Sequence, residues 1–152
     1  MPVSTTQSPR RIPVKQFSIF TENKVGRLNE VVNLLRTHDI HVMALTTMET
    51  TDSAIIRVVV DDPDGAARLL REHGFPYNVS ELLVVEMASE GDLNAVLTVL
   101  LAAEINIHYI YPFIFRPRDR AALALNVEDM DLAARALSDR GHRVLMQLDI
   151  SR

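Results

Sequence analysis

The residues able to do chemistry fall into a few groups. Five histidines (His38, His41, His73, His108 and His142) stand beside many carboxylates and arginines, and there is no cysteine. The lack of cysteine excludes disulfides, thiolate catalysis and cysteine-held zinc or iron–sulfur sites. A histidine-held metal needs several ligands converging on one point. His38 ends a helical pattern and His41 opens a strand, while His73 and His142 each precede or follow a helix-stopping glycine, so the pattern predicts no metal site. Asp61, Asp62 and Asp64 read as a helix start: Asp62 caps, Pro63 suits the first helical position, and carboxylates there face the positive helix end. Arg116, Arg118 and Arg120 form a basic turn around Pro117 and Asp119. Tyr109 and Tyr111 share one face of a strand. They line a pocket or an inter-unit interface, or they pack on a neighbouring element with their hydroxyls in water. No phosphate loop, Gly-x-Ser-x-Gly elbow or His-Glu-x-x-His motif is present, and no carboxylate pair is spaced for acid–base work. The expectation is a non-enzyme without cofactor or metal.

Charge narrows the partners. The net charge is −4, with 47% hydrophobic and 24% charged residues, a globular composition. So acidic a chain has no overall field to draw nucleic acid or an anionic membrane. A sheet with exposed aromatics can bind RNA, but the run of basic, glycine and aromatic residues that marks such sheets is missing. No apolar run reaches the ~20 residues of a membrane helix. Residues 1–13 are polar, carry Arg10 and Arg11, and lack the apolar core of an export signal. They are expected to form a loose tail on a cytoplasmic protein.

The elements that must position these residues come twice. An offset of 65 (93 − 28) lays Gly26 on Gly91, Leu28 on Leu93, Asn29 on Asn94, Val31 on Val96, Leu35 on Leu100, Ile40 on Ile105 and Val42 on Ile107. Two further residues shift the offset to 67, where Ala66-Ala67-Arg68 falls on Ala133-Ala134-Arg135, Leu70 on Leu137 and Gly74 on Gly141. Leu28, Val31, Val32 and Leu35 make one helical stripe, repeated by Leu93, Val96, Leu97 and Leu100. Val14 to Thr21 alternates as a strand. Val42 to Thr50 and Ser53 to Val60 read as a hairpin around Thr51-Asp52. A helix from Pro63 stops at Gly74. The second unit predicts a helix over 92–103, strands over 106–115 and 121–127, a helix over 130–140 and a last strand over 143–150. Phe75 to Ala88 must supply the last strand of one unit and the first of the next, and a nearly continuous path, bent near Asn78 to Glu81, is expected to join the two sheets. The order, strand–helix–strand–strand–helix–strand twice, gives an α+β fold of two tandem ferredoxin-like units, over 14–80 and 81–152, with antiparallel sheets side by side.

Phe17 to Leu45 carries a signature within this frame: Thr21-Glu22-Asn23 closing a strand, Lys24-Val25-Gly26-Arg27-Leu28 opening a helix, then Asp39-Ile40-His41-Val42. This resembles the ACT domain, the small-molecule-sensing module of aspartokinase, phosphoglycerate dehydrogenase and the acetolactate synthase regulatory subunit. The second unit keeps Gly91 and Leu93 but places Ala88 where Asn23 sits. The likeness is greatest to stand-alone proteins made of two ACT units.

The resemblance implies amino-acid binding at an interface between units, by the loop after the first strand and the start of the second strand. Carried onto this chain, the ligand-binding residues are Asn23, Val25, Gly26, Arg27, Leu28, Ile40 and His41, with Gly91, Asp92, Leu93, Ile105 and Asn106 in the second unit, and Tyr109 as a further lining residue. The chemistry agrees: helix N–H groups hold a carboxylate, a glycine admits close approach, and Asn23 offers both a donor and an acceptor. The alternative for Gly26 and Asn23 is a simple turn. The function implied is a regulatory, allosteric amino-acid sensor, or else a ligand-independent subunit docking on a biosynthetic enzyme such as acetolactate synthase. Runs such as Val58-Val59-Val60 and Leu82-Leu83-Val84-Val85 put apolar residues on both sheet faces, and with helices on one face only, a homodimer is expected to cover the other.

Overall fold

A computed structural model describes residues 12–151. The first unit contains β1 (Val14–Glu22), α1 (Arg27–Thr37), β2 (Val42–Glu49), β3 (Ser53–Val60) and α2 (Pro63–Glu72). Strand β4 (Tyr77–Met87) follows, and then α3 (Gly91–Ala102), β5 (Ile107–Pro112), β6 (Ala121–Val127), α4 (Met130–Asp139), β7 (Val144–Leu145) and α5 (Gln147–Ile150). The helices start where capping chemistry allows. Asp62 accepts from the Gly65 N–H at 3.1 Å, with Pro63 in the first turn, and Asp129 accepts from the Leu132 N–H at 3.1 Å.

The repeat is visible in the turns that end the helices. Asp39 and Glu104 are left-handed at φ 60° and 57°, and Gly74 and Gly141 at 73° and 82°. Each turn folds the next residue back onto its helix: Ile40 onto Leu35, Ile105 onto Leu100, Phe75 onto Leu70 and His142 onto Leu137, with N···O distances of 2.9–3.0 Å.

The expected continuous path is one strand. The first half of β4 pairs with β1 (Tyr77↔Ile19 to Leu82↔Val14), and its second half pairs with β6 and β7 (Leu83↔Leu125, Val84↔Leu145). It is the fourth strand of one ferredoxin-like unit and the first of the other. All seven strands join one antiparallel sheet in the order β2-β3-β1-β4-β6-β5, with β7 on β4. The sheet curls until its outer strands meet: Ala44 bridges Phe113, and the Ile114 N–H donates to the Met43 carbonyl at 2.8 Å.

The curl revises two expectations. Val59, Leu82 and Val84 face inward with Val14, Tyr111, Leu145 and Ile150, while Ala44, Ala122 and Ala124 are small enough to let the strands close. Every residue of Val58–Val60 and Leu82–Val85 is at most 1% exposed within the single chain, so those runs call for no second copy. The last strand, expected over 143–150, is only two residues long. The Met146 N–H is captured by Asp149 Oδ2 at 2.7 Å, which turns the chain into α5. Gln147 then completes the sheet with its side chain, accepting from the Lys15 N–H at 2.9 Å and donating to the Val60 carbonyl at 3.2 Å. Strand β5 is likewise shorter than 106–115. Helices α1 to α4 pack on the outer face in two cores, around Phe17, Leu35 and Leu70, and around Leu83, Leu100 and Leu137. Most of the expected tail lies outside the described residues. Among the described residues no helix is long and apolar enough to cross a membrane.

Candidate functional site

The loop from β1 to α1 carries most of the expected first half-site. Gly26 is left-handed at φ 92° with nothing within 4 Å of where a Cβ would stand, so the backbone conformation requires glycine there and close approach does not. Val25 is fully exposed and Leu28 is 40% exposed. Asn23 Nδ2 donates to the Thr50 carbonyl at 3.0 Å, and its N–H to the Asp52 carbonyl at 3.2 Å. Asn23 thus fastens the loop to the β2–β3 hairpin, the turn role. Arg27 pairs with Glu30 at 2.9 Å and with Glu22 at 3.8 Å. The Lys24 ammonium, hydrogen-bonded 2.6 Å from Glu22, and then Arg27, hold the Glu22 carboxyl below its ordinary range.

A cleft of about 470 Å³ opens beside this loop, walled by Phe20, Thr21, Arg27, Ser53, Phe75 and Pro76. Gly74 and His73, from the end of α2, also line it. The Thr21 hydroxyl is buried without a hydrogen-bond partner among the described residues, and a buried polar group in that condition carries a cost.

The other expected residues do not join this cleft. Ile40 is 4% exposed, inside the first core. His41 immediately precedes β2 and is bound twice by Asp61: Nδ1 lies 2.8 Å from Oδ2, and its N–H donates to Oδ1 at 2.8 Å. Helix α1 separates this pair from Asn23–Leu28 by about 16 Å at 1.5 Å per residue, so one unit does not bring both groups to one pocket.

In the second unit the loop is one residue shorter. Phe17 pairs with Val58 and Leu83 with Leu125, so the strands correspond at an offset of 66 while the helices correspond at 65. Gly26, which holds the left-handed turn of the first unit, corresponds to Gly91 across the helices. Gly91 is instead the first residue of α3 with no positive φ, and it does not repeat the role of Gly26. Asp92 secures this loop instead, accepting from the N–H groups of Ala88 (2.7 Å) and Ser89 (3.1 Å), which hold its carboxyl below its usual value. Leu93 is 44% exposed, Ile105 lies in the second core, and Asn106 donates to Glu128 at 3.0 Å.

A second cleft, of about 340 Å³, lies at the repeat-equivalent place. It is lined by Glu86, Asp92, Arg120, Arg140, His142 and Arg143, around Gly141. Sequence reasoning noted Arg120 only as part of a basic turn and missed Arg140 and Arg143. The signal was available at offset 67, which lays Arg140-Gly141-His142-Arg143 on His73-Gly74-Phe75-Pro76.

Tyr109 belongs to neither cleft. It stands inside the curled sheet, where fully buried Gln16 donates through Nε2 to its hydroxyl at 2.7 Å and to Ser80 at 3.2 Å. Tyr111 donates to Gln16 Oε1 at 2.5 Å, and burial pushes its phenol well above the usual range. The Arg57 guanidinium lies 4.1 Å over the Tyr109 ring. The two tyrosines thus pack inside the molecule, with hydroxyls satisfied by Gln16 and not by water.

Two ferredoxin-like units fused through one strand, each with a cleft at the mouth of its first helix, define a small regulatory module of the ACT type. The chain belongs to the ACT domain pair family, which matches residues 12–138. It is similar to protein BT0572 from Bacteroides thetaiotaomicron, with 32% identity over 93% of this chain and 97% of that one, and a TM-score of 0.82. The ligand-free regulatory subunit of aspartate kinase from Thermus thermophilus has the same fold, with 16% identity, a TM-score of 0.54, and 84% and 92% coverage. No curated protein matches the chain.

Proposed function

We propose that the chain is a sensor whose first cleft binds a free amino acid and passes its presence to the rest of the curled sheet. The Thr21 hydroxyl carries this reading: it is buried, unsatisfied, and part of a cleft that also offers a cation and carboxylates. Arg27 suits an α-carboxylate, Glu22 and Asp52 suit an α-ammonium, and Phe20, Phe75 and Pro76 suit a side chain. Asn23, Gly26 and Leu28 shape the loop without touching the ligand. Such a ligand regulates only through unequal affinity for two states of the protein.

Thermal melting against each of the twenty amino acids tests this. One or a few should stabilise the chain, by roughly 2.7 kcal/mol at a hundredfold excess over Kd, or about 8 °C for a domain of this size. Thr21→Val should abolish the shift while preserving the melt without ligand. A flat screen would falsify the reading.

A second reading keeps the homodimer on another surface. Leu93, Leu97 and Leu101 lie at i, i+4 and i+8 on α3 and are 44%, 37% and 77% exposed. The equivalent α1 positions are Leu28, Val32 and Arg36, so the repeat itself marks α3 as unusually apolar. The stripe is symmetric about Leu97 and is flanked by the uncharged Asn94 and Thr98, so two antiparallel α3 helices can share it without burying a charge. Sedimentation at tens of micromolar should show a dimer that Leu97→Glu dissociates. A monomer there removes this reading and leaves the stripe to another protein, such as a biosynthetic enzyme.

A further inference from the structure

We infer that the cleft of the second unit is a distinct site for a small dianion, a molecule bearing either a phosphate group or two carboxylates. This is independent of the amino-acid reading of the first cleft.

Arg120, Arg140 and Arg143 line the cleft with His142, against only Glu86 and Asp92. Two carboxylates against three guanidinium groups leave one positive charge in excess. Asp92 is engaged by the N–H groups of Ala88 and Ser89 and by the Ser89 hydroxyl at 3.3 Å. Glu86 sits between Arg120 and Arg143 with its side chain only 10% exposed, but the contacts are 3.5 and 3.6 Å, longer than charged hydrogen bonds of 2.7–2.9 Å. Arg143 reaches Asp149 only at 3.8 Å. Arg140 has no ion pair or side-chain hydrogen bond among the described residues. The guanidinium forks are therefore gathered but unsaturated, the state in which arginine takes an oxyanion in bidentate fashion.

The frame is the one that shapes the first cleft. Gly141, left-handed at φ 82°, turns the chain after α4 and delivers Arg140, His142 and Arg143 to one surface, as Gly74 delivers His73, Phe75 and Pro76. Two apolar walls in the first unit have become cationic or titratable in the second: Phe75 corresponds to His142 and Pro76 to Arg143. The volume, about 340 Å³, suits a small metabolite. Glu86 is the internal competitor, a carboxylate lying where the ligand's oxygens belong.

The test is calorimetric titration of the full chain at constant ionic strength, once with inorganic phosphate and once with succinate. One of the two should bind at one site per chain, and which one binds tells phosphate from dicarboxylate. Arg140→Gln and Arg143→Gln should each weaken binding about tenfold, the worth of one charge-assisted contact. Arg36→Gln, at an exposed position of α1 that lines neither cleft, should leave it unchanged. Glu86→Gln should tighten binding. Arg140 is exposed, so its variant remains informative even if Glu86→Gln does not fold. Absence of binding by both anions, or binding indifferent to both arginine variants, overturns the inference.

Discussion

The two clefts are the same place built twice, and they differ in almost every residue that a ligand would meet. The first is walled by Phe20, Phe75 and Pro76 around a buried hydroxyl; the second is walled by three arginines around a carboxylate. What the units share is the frame: core stripes at Val31/Leu35 and Val96/Leu100, and left-handed turns at Asp39/Glu104 and Gly74/Gly141. The comparison separates two kinds of constraint. Positions that the backbone or the core dictates are held in both units, while positions that only line a cavity are free to acquire different chemistry.

The two cores carry the greatest stability. Leu35→Ala and Leu100→Ala delete equivalent, fully buried side chains on opposite sides of β4. Each should cost about 2–5 kcal/mol. Because β4 belongs to both units, each variant should still unfold in a single transition, shifted to lower temperature. Calorimetry resolving two transitions, with only one moved by each variant, would show that the shared strand does not couple the units.

The glycines give a smaller and sharper test, because the sign changes along the series. Gly26→Ala, Gly74→Ala and Gly141→Ala force a Cβ into φ of 92°, 73° and 82°, and each should lower stability by about 1–2 kcal/mol. Gly91→Ala stands at a helix start, where a Cβ would meet nothing closer than the Ser89 hydroxyl at 4.0 Å; it should raise stability by up to about 0.5 kcal/mol. Glu104→Gly, relieving a left-handed non-glycine turn, should be neutral or stabilising, unlike an ordinary change to glycine. Urea unfolding measures all five. A destabilising Gly91→Ala would mean that the two loops are more alike than their lengths suggest.

Much of this frame was legible in the sequence because it is periodic. The helical stripes, the hairpin around Thr51-Asp52 and the Asp62-Pro63 start are local signals, and the doubled pattern made each half check the other. The curl was not legible. It depends on strands far apart in the chain meeting at Ala44 and Phe113, and on alanines whose small size matters only once the sheet closes. The last strand was misjudged because Arg143 to Ile150 has strand composition, while a single capping bond from Asp149 bends it into helix. The loop after the first strand was obscured for a similar reason. Aligning Asn23 with Ala88 assumes equal loops, and only the ladder shows that one residue is missing. Ile40 and His41 belong to the right motif but lie at the far end of α1, a separation along the helix axis that spacing alone does not reveal.

The missing residue yields the smallest prediction and the one most specific to the comparison. Both units must tie the loop after the first strand, and they use different chemistry: the neutral amide of Asn23 in the first, the carboxylate of Asp92 in the second. An amide does not titrate, so the Asn23 tie should be independent of pH. The Asp92 carboxyl is held below its ordinary 3.8 by the Ala88 N–H and then the Ser89 N–H. The folded protein therefore binds its proton less readily than the unfolded chain. That contribution to stability is fully present above about pH 4 and is lost as pH falls below 3.8 through the lowered folded value. Asp92→Asn should accordingly destabilise at pH 6 and converge with the parent protein toward pH 2, whereas Asn23→Ala should show a constant difference between those limits. Stability curves by urea unfolding at several pH values read both, and an NMR titration placing the Asp92 midpoint at or above 3.8 would remove the charge-based account of the shorter loop.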